Sequence, residues 1–242
     1  MKTDVLAIAA HPDDVELSCS GTLMMEKRRG KVVGIIDLTA GELGTRGTAH
    51  TRSAEAAEAL SIMGLDFRQN LGLPDGFFEN SRPYQLQVIQ AIRQYRPEII
   101  LTNAPSDRHP DHGRAAALVR DAAFLSGLVK IETQHLEATQ APWRPKYVLH
   151  FIQDRYIQPH IVYDISAVMA QKISAIKAFK TQFDTSPDGE PQTYISTPAF
   201  LQSVIDRAAM LGKTIGVPHA EGFLSEKMLG INSFDALVQN IT

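Results

Sequence analysis

Residues 4–16 read DVLAIAAHPDDVE. Val5 to Ala10 is continuously apolar, the pattern of a strand covered on both faces as in a parallel sheet, and it stops abruptly at His11, Pro12, Asp13 and Asp14. Working outward, KVVGIIDLT (31–39) is a second run of the same kind. Residues 14–29 between the two runs read as a helix. Asp13, Asp14 and Glu16 lie at its start, Lys27, Arg28 and Arg29 at its end, and Gly30 offers a left-handed stop. Strand, helix and strand make a βαβ unit.

The alternation continues down the chain. TRSAEAAEALSIMG (51–64) is helical, DFRQNLGL (66–73) a strand, PYQLQVIQAIRQYR (83–96) helical and EIILTN (98–103) a strand. GRAAALVRDAAFLSG (113–127) follows as a helix, KYVLHFI (146–152) as a strand, and 166–183 and 198–212 as amphipathic helices. This pattern predicts an α/β fold, Rossmann-like and three-layered, with a mostly parallel sheet and helices on both faces. No composition shift marks a boundary, so residues 1–242 are expected to form a single domain. The tripeptide His-Pro-Asp occurs twice, at 11–13 and 109–111, but the flanks differ, which argues for two similar loops on one scaffold rather than a duplication.

Composition narrows the function classes. The chain has 242 residues, 44% hydrophobic and 21% charged, and a net charge of −3, which is ordinary for a globular enzyme. The one basic cluster, EKRRGK (26–31), sits at a helix end where cations complement the dipole, so nucleic acid is not an expected partner. A single cysteine, Cys19, excludes an intrachain disulfide and any multi-cysteine metal site. Val5–Ala10 is too short for a signal-peptide core, and no run approaches the ~20 apolar residues of a membrane span. A cytoplasmic address with no membrane partner is the expectation.

Ligands of open parallel sheets bind beyond the carboxyl ends of the strands, and both His-Pro-Asp segments lie at such ends. A dinucleotide site would place glycines after the first strand; this loop places an imidazole and two carboxylates there, a set that attracts a metal. A lone Asp at a helix start is commonly only a cap. Two clusters of acids and imidazoles at strand ends are costly to leave without partners, which favours a metal site. His11, Asp14 and His112 would supply the three ligands of a hydrolytic zinc site, leaving Asp13, His109 and Asp111 free. His109 and His112, three apart at a helix start, can face one way.

AHPDDVE (10–16) together with HPDH (109–112) resembles the LmbE/PIG-L family of zinc-dependent N-acetylglucosamine deacetylases. DLTAGELGTRGT (37–48) and RHPDHGRAA (108–116) narrow the resemblance to members acting on N-acetylglucosaminyl malate in bacillithiol biosynthesis. Carried over, it implies Zn²⁺, or another divalent ion, on His11, Asp14 and His112. Asp13 would be the general base, and a protonated His109 would stabilise the oxyanion with Asp111 orienting it. The partner implied is a small amino-sugar conjugate, and the assembly a homo-oligomer, a hexamer among its forms.

Substrate contacts are less determined. Gly41, in a glycine loop otherwise explained by turn needs, would form a wall of the sugar pocket. Arg46, Arg52 and Arg108 would suit the carboxylates of a malate aglycone. Tyr194 and His219 would close the pocket from the C-terminal side. Within the deacetylase reading, the runner-up is an enzyme for another N-acetyl sugar conjugate, of chitobiose or inositol type. Two rivals of other classes use the same residues: a two-His-one-carboxylate iron oxygenase, which usually sits on an all-β scaffold, and a metal- or sugar-binding module, which has no use for a free Asp13.

Overall fold

The computed structural model describes residues 2–185 and 190–237. β1 (Val5–Ala9) leads into α1 (Asp14–Ser18) and α2 (Ser20–Arg28), and β2 (Val33–Asp37) into α3 (Ala49–Met63). β3 (Phe67–Asn70), α4 (Arg82–Tyr95), β4 (Ile99–Thr102) and α5 (Pro110–Leu125) follow. A small hairpin of β5 (Gln134–His135) and β6 (Ala138–Thr139) precedes β7 (Tyr147–Phe151) and β8 (Ile161–Asp164). α6 (Met169–Lys177), α7 (Lys180–Phe183), α8 (Pro198–Ile215) and β9 (Ala220–Ser225) complete the order.

Seven strands form one sheet in the order β3-β2-β1-β4-β7-β9-β8. The first five are parallel, and β9 and β8 add an antiparallel edge. This is the expected Rossmann-like α/β fold. Alternation along β1 builds the layers. Val5, Ala7 and Ala9 enter one core with residues of α2, α3 and α6, while Leu6, Ile8 and Ala10 enter another with α4 and α5. Leu6 and Ile8 have no exposure, and burial of such a side chain contributes about 1.5–3 kcal/mol. Strand order reverses between β1 and β4, so the loop carrying His11 and the loop leading to His112 at the start of α5 leave neighbouring strands at the switch point.

Three departures from the sequence reading have physical causes. The single helix expected over 14–29 breaks at Cys19, whose backbone leaves the helical region (φ −135°, ψ 7°). Glu221 of β9 then accepts from the amides of Gly21 and Thr22 at 2.9 and 2.7 Å, supplying the new N-terminus with a partner 200 residues away in sequence. The long helix expected over 166–183 is a 3₁₀ turn followed by α6 and α7. β8 and β9 were not foreseen, because β8 is only half buried and β9 buries Glu221 against Lys172. No helix among the described residues is long and apolar enough to cross a membrane.

Candidate metal and active site

A cavity of about 630 Å³ opens at the carboxyl ends of the parallel strands. His11, Asp13 and Asp14 reach it from the loop after β1, Asp75 from the loop after β3, and Arg108, His109 and His112 from the loop after β4 and the start of α5. The two His-Pro-Asp segments, a hundred residues apart, therefore meet. Their three imidazoles cluster with ring centres 4.7, 5.7 and 5.3 Å apart.

Asp14 lies between two of those rings. Its Oδ2 is 3.5 Å from His11 Nδ1 and its Oδ1 is 3.1 Å from His112 Nε2. The far nitrogen of each ring faces another carboxylate. His11 Nε2 is 3.0 Å from Asp75 and 3.2 Å from Asp111, and His112 Nδ1 is 2.6 Å from Asp107. An imidazole that turns one nitrogen inward and gives the other N–H to a carboxylate is arranged as metal-ligating histidines are. The donor set of two nitrogens and a carboxylate suits a divalent ion such as zinc. Among the described residues, the sets whose donor atoms all lie within 4.8 Å of one another are His11–His109–His112 and His11–Asp75–Asp111; His11 and His112 are linked to each other pairwise through Asp14.

The charges respond to this crowding. Burial opposes the cationic form of His112, yet Asp14 and Asp107 outweigh it and raise its pKa to about 9. Burial likewise opposes the cation on His11, and Asp111, Asp14 and Asp75 outweigh it. Asp14 moves the other way: the His112 and His11 cations hold it well below the carboxylate range against the effect of burial. The two rings that face carboxylates therefore favour positive charge, as groups in an acid-rich site should.

Asp13 is different. It occupies the left-handed region at φ 113°, a strained conformation for a non-glycine residue, and its side chain does not cap α1. Its Oδ2 accepts instead from Arg52 Nη2 at 2.9 Å. Burial pushes its carboxyl up to about 7 against the pull of Arg52. His109 caps α5, and its Nδ1 accepts from the Asp111 amide at 3.3 Å, which leaves the proton of a neutral ring on Nε2. Burial, then the neighbouring His11 and His112 cations, lower its pKa.

Several expected contacts are corrected by this geometry. Asp111 does not orient His109 through its carboxylate; that group is held by His11, the Gly76 amide at 2.8 Å and Arg114 at 2.7 Å. Arg46 stands outside the cavity lining, its guanidinium occupied by Glu190 and the Asp184 carbonyl, both at 2.9 Å. Arg52 lines the cavity but is buried and committed to Asp13, so it is not a free anchor for a substrate carboxylate. Gly41 forms no cavity wall: it sits at φ +66°, and a Cβ there would lie 2.1 Å from Arg52 Nη1. His219 does not line the cavity; its amide bonds the Ser166 hydroxyl. Glu16 pairs with Arg68 at 2.6 Å and is not in the lining.

Arg108 and Tyr194 do line the cavity. The guanidinium lies 4.4 Å above the Tyr194 ring, and both side chains bond Asp154, at 3.2 and 3.0 Å. Asp75, Asn103, Asp107, Gln153 and Asp154 were missed by the sequence reading. Asp107 was visible in PSDRHPDH, five residues before His112; Asp75 lies in a stretch legible only as a turn; Gln153 carries no sequence signal.

The packing of Gly41 makes a measurable claim. Gly41→Ala should destabilise the fold by about 1–2 kcal/mol from the left-handed backbone alone, and should also displace Arg52 from Asp13. Denaturant unfolding with kcat on the same preparation tests both effects. Unchanged stability and unchanged kcat would show that the loop adapts around the methyl group.

Comparison with known proteins agrees with the geometry. The sequence profile of the PIG-L family, described as GlcNAc-PI de-N-acetylase, matches residues 6–123. The diacetylchitobiose deacetylase of Thermococcus kodakarensis is 28% identical over 90% of this chain and 81% of its own length. A probable N-acetyl-α-D-glucosaminyl L-malate deacetylase of Bacillus anthracis is 25% identical over 75% of this chain and 82% of its own. The crystal structure of the conserved protein TT1542 from Thermus thermophilus superimposes with a TM-score of 0.83 at 35% identity, covering 95% of this chain and 98% of that one. With the profile seated on β1 to β4 and on the segments that carry His11, Asp75 and His112, and a likeness to TT1542 that runs over nearly the whole chain, the chain belongs to the PIG-L family of deacetylases.

Proposed function

We propose that the protein hydrolyses the N-acetyl group of an N-acetylglucosaminyl conjugate, with His11, Asp14 and His112 holding a zinc ion or a similar divalent cation. The observation that carries this reading is the Asp14 carboxylate set between two imidazole nitrogens, each ring backed by another carboxylate. When bound, the cation supplies Lewis acidity and a readily deprotonated water. Asp13 faces the same cavity, with Arg52 as its partner, and takes the proton as general base. His109 donates Nε2–H to the acetamide oxygen as negative charge grows there; with Nδ1 occupied, it does so as a neutral ring. The proton gained by Asp13 is the one the departing amine requires. The reading extends to a cytoplasmic homo-oligomer, a hexamer among its forms, acting on a small molecule.

A cavity of about 630 Å³ lies in the range that encloses drug-sized ligands, which favours a sugar with an aglycone over the free sugar. The aglycone suggested by the sequence is malate, as in bacillithiol biosynthesis, and Arg108 is the arginine placed to meet it, 44% exposed at the cavity wall. Its pairing with Asp154 favours a second reading, a neutral hydroxylated aglycone such as a second sugar. Acetate release from N-acetylglucosaminyl malate, diacetylchitobiose and free N-acetylglucosamine, by zinc-loaded and chelated protein, tests the proposal. No release from either conjugate would overturn it.

Arg108→Ala then separates the two aglycones. If malate is the partner, the lost charge-assisted contact of about 1.5–3 kcal/mol raises KM for that conjugate roughly tenfold to hundredfold and leaves diacetylchitobiose nearly unaffected. Equal effects on both substrates would remove Arg108 from malate recognition.

A further inference from the structure

The turn after β7 touches the site at three levels. Gln153 Nε2 donates to Asp14 Oδ1 at 2.6 Å. The amide of Arg155 donates to Asp107 Oδ1 at 2.8 Å, and that of Asp154 approaches Oδ2 at 3.5 Å. The Asp154 side chain holds Arg108 and Tyr194 at the cavity rim. Asp107 is thus a fixed group: its side chain is nearly inaccessible, one oxygen faces the turn, and the other faces His112 Nδ1 at 2.6 Å.

A carboxylate against Nδ1 has a definite chemical consequence. An ionised carboxylate can only accept, so His112 must carry a hydrogen on Nδ1. In the neutral ring that leaves Nε2 bare, with its lone pair directed at Asp14 and the cavity. The other neutral tautomer would place a hydrogen on Nε2, where it would exclude a cation. We propose that Asp107 is a positioning residue that dictates the metal-binding tautomer of His112, and that the Arg155 amide keeps it aimed. This rests on the reading of His112 as a metal ligand. Asp75 and Asp111 hold His11 in a comparable way, but they share one nitrogen, so no single substitution isolates that contact.

Asp107→Asn is the discriminating change because it keeps the size. If the amide oxygen still accepts from Arg155, its NH₂ faces His112 Nδ1 and favours the wrong tautomer. If it turns around, the NH₂ meets the Arg155 N–H donor instead. A role confined to bracing the turn would survive the first arrangement, whereas the tautomer role would survive only the second, with a weaker neutral acceptor and at the expense of the Arg155 contact.

The measurement is the zinc dissociation constant of the metal-free protein, by competition with a chelator, beside its Tm without metal. Asp107→Asn is expected to weaken zinc about tenfold to hundredfold, the usual effect of losing such a partner, with the metal-free protein still folded and its Tm lowered less than in Asp107→Ala. Asp107→Ala is expected to lose at least as much affinity and also to lower Tm. Wild-type zinc affinity in Asp107→Asn would overturn the proposal. Nitrogen-15 NMR of His112 in the zinc-loaded wild type gives a test that needs no variant: a hydrogen on Nδ1 is expected, and one on Nε2 would overturn it. Failure of the underlying reading looks different, since the wild type would then bind no stoichiometric zinc or His112→Ala would retain it.

Discussion

His112→Ala is expected to yield a folded protein that holds no stoichiometric metal and has lost its deacetylase activity. The fold survives because the carboxylates that face His112 keep other donors. Asp14 retains the His11 amide at 3.0 Å, Asn103 at 3.0 Å and Gln153 at 2.6 Å, and Asp107 retains the Arg155 amide. Both carboxylates stay hydrogen-bonded and Asp14 keeps the His11 imidazole, so losing the His112 pair lowers stability without leaving a bare buried charge. Activity falls by about 10⁴-fold or more, because the cation that lowers a water's pKa from 15.7 to about 7 is gone. Thermal unfolding supplies a second readout. Zinc at about a thousand times its Kd stabilises a binding-competent protein by about 4.1 kcal/mol, and the variant gains nothing. Full zinc content in the purified variant, by elemental analysis, would remove His112 from the ligand set.

The same contacts explain what could be read in the sequence. β1, β2 and β4 were legible because strands covered on both faces must be apolar throughout, and the chemistry begins at the first residue that breaks the run. His11 follows from that logic, and His112 from the second His-Pro-Asp, nine residues beyond the end of the β4 run. β9 was not legible, since AEGFLS contains Glu221, whose charge is matched by Lys172 and by the free amides of α2. Only tertiary contacts make such a residue acceptable in a strand. The partner of Asp111 was equally hidden. Its neighbour in sequence is His109, and the spacing invites that pairing, but the helical start at Pro110 turns the carboxylate toward His11 and gives His109 only the Asp111 amide. Arg52 and Arg46 show the general difficulty. An arginine's sequence position says that a cation is present, whereas the carboxylate or carbonyl already holding it is set by packing.

Asp13→Asn should keep its zinc and lose most of its turnover. Asn tolerates the left-handed backbone at φ 113° at least as well as Asp, and its amide oxygen can still accept from Arg52. The substitution therefore spares the backbone and the ligand cage while removing the group that accepts a proton. A general base contributes about 10²- to 10⁴-fold, so kcat should fall by that factor with KM much less affected. The pH dependence has a definite sign. As the proposed general base Asp13 would work ionised, so wild-type kcat should decline as pH falls through its pKa, which burial places near 7 in the metal-free protein and which a bound cation lowers. The variant lacks that limb. Stability of the metal-free proteins gives an independent check. A carboxyl raised from 3.8 to about 7 favours the fold fully below the lower value and loses that contribution as pH rises through the higher one. Asparagine never ionises, so the stability of the variant relative to the wild type should improve as pH is raised across this window. A variant with full zinc and near-normal kcat would sink the assigned role, whereas one without zinc would place Asp13 among the groups that hold the metal.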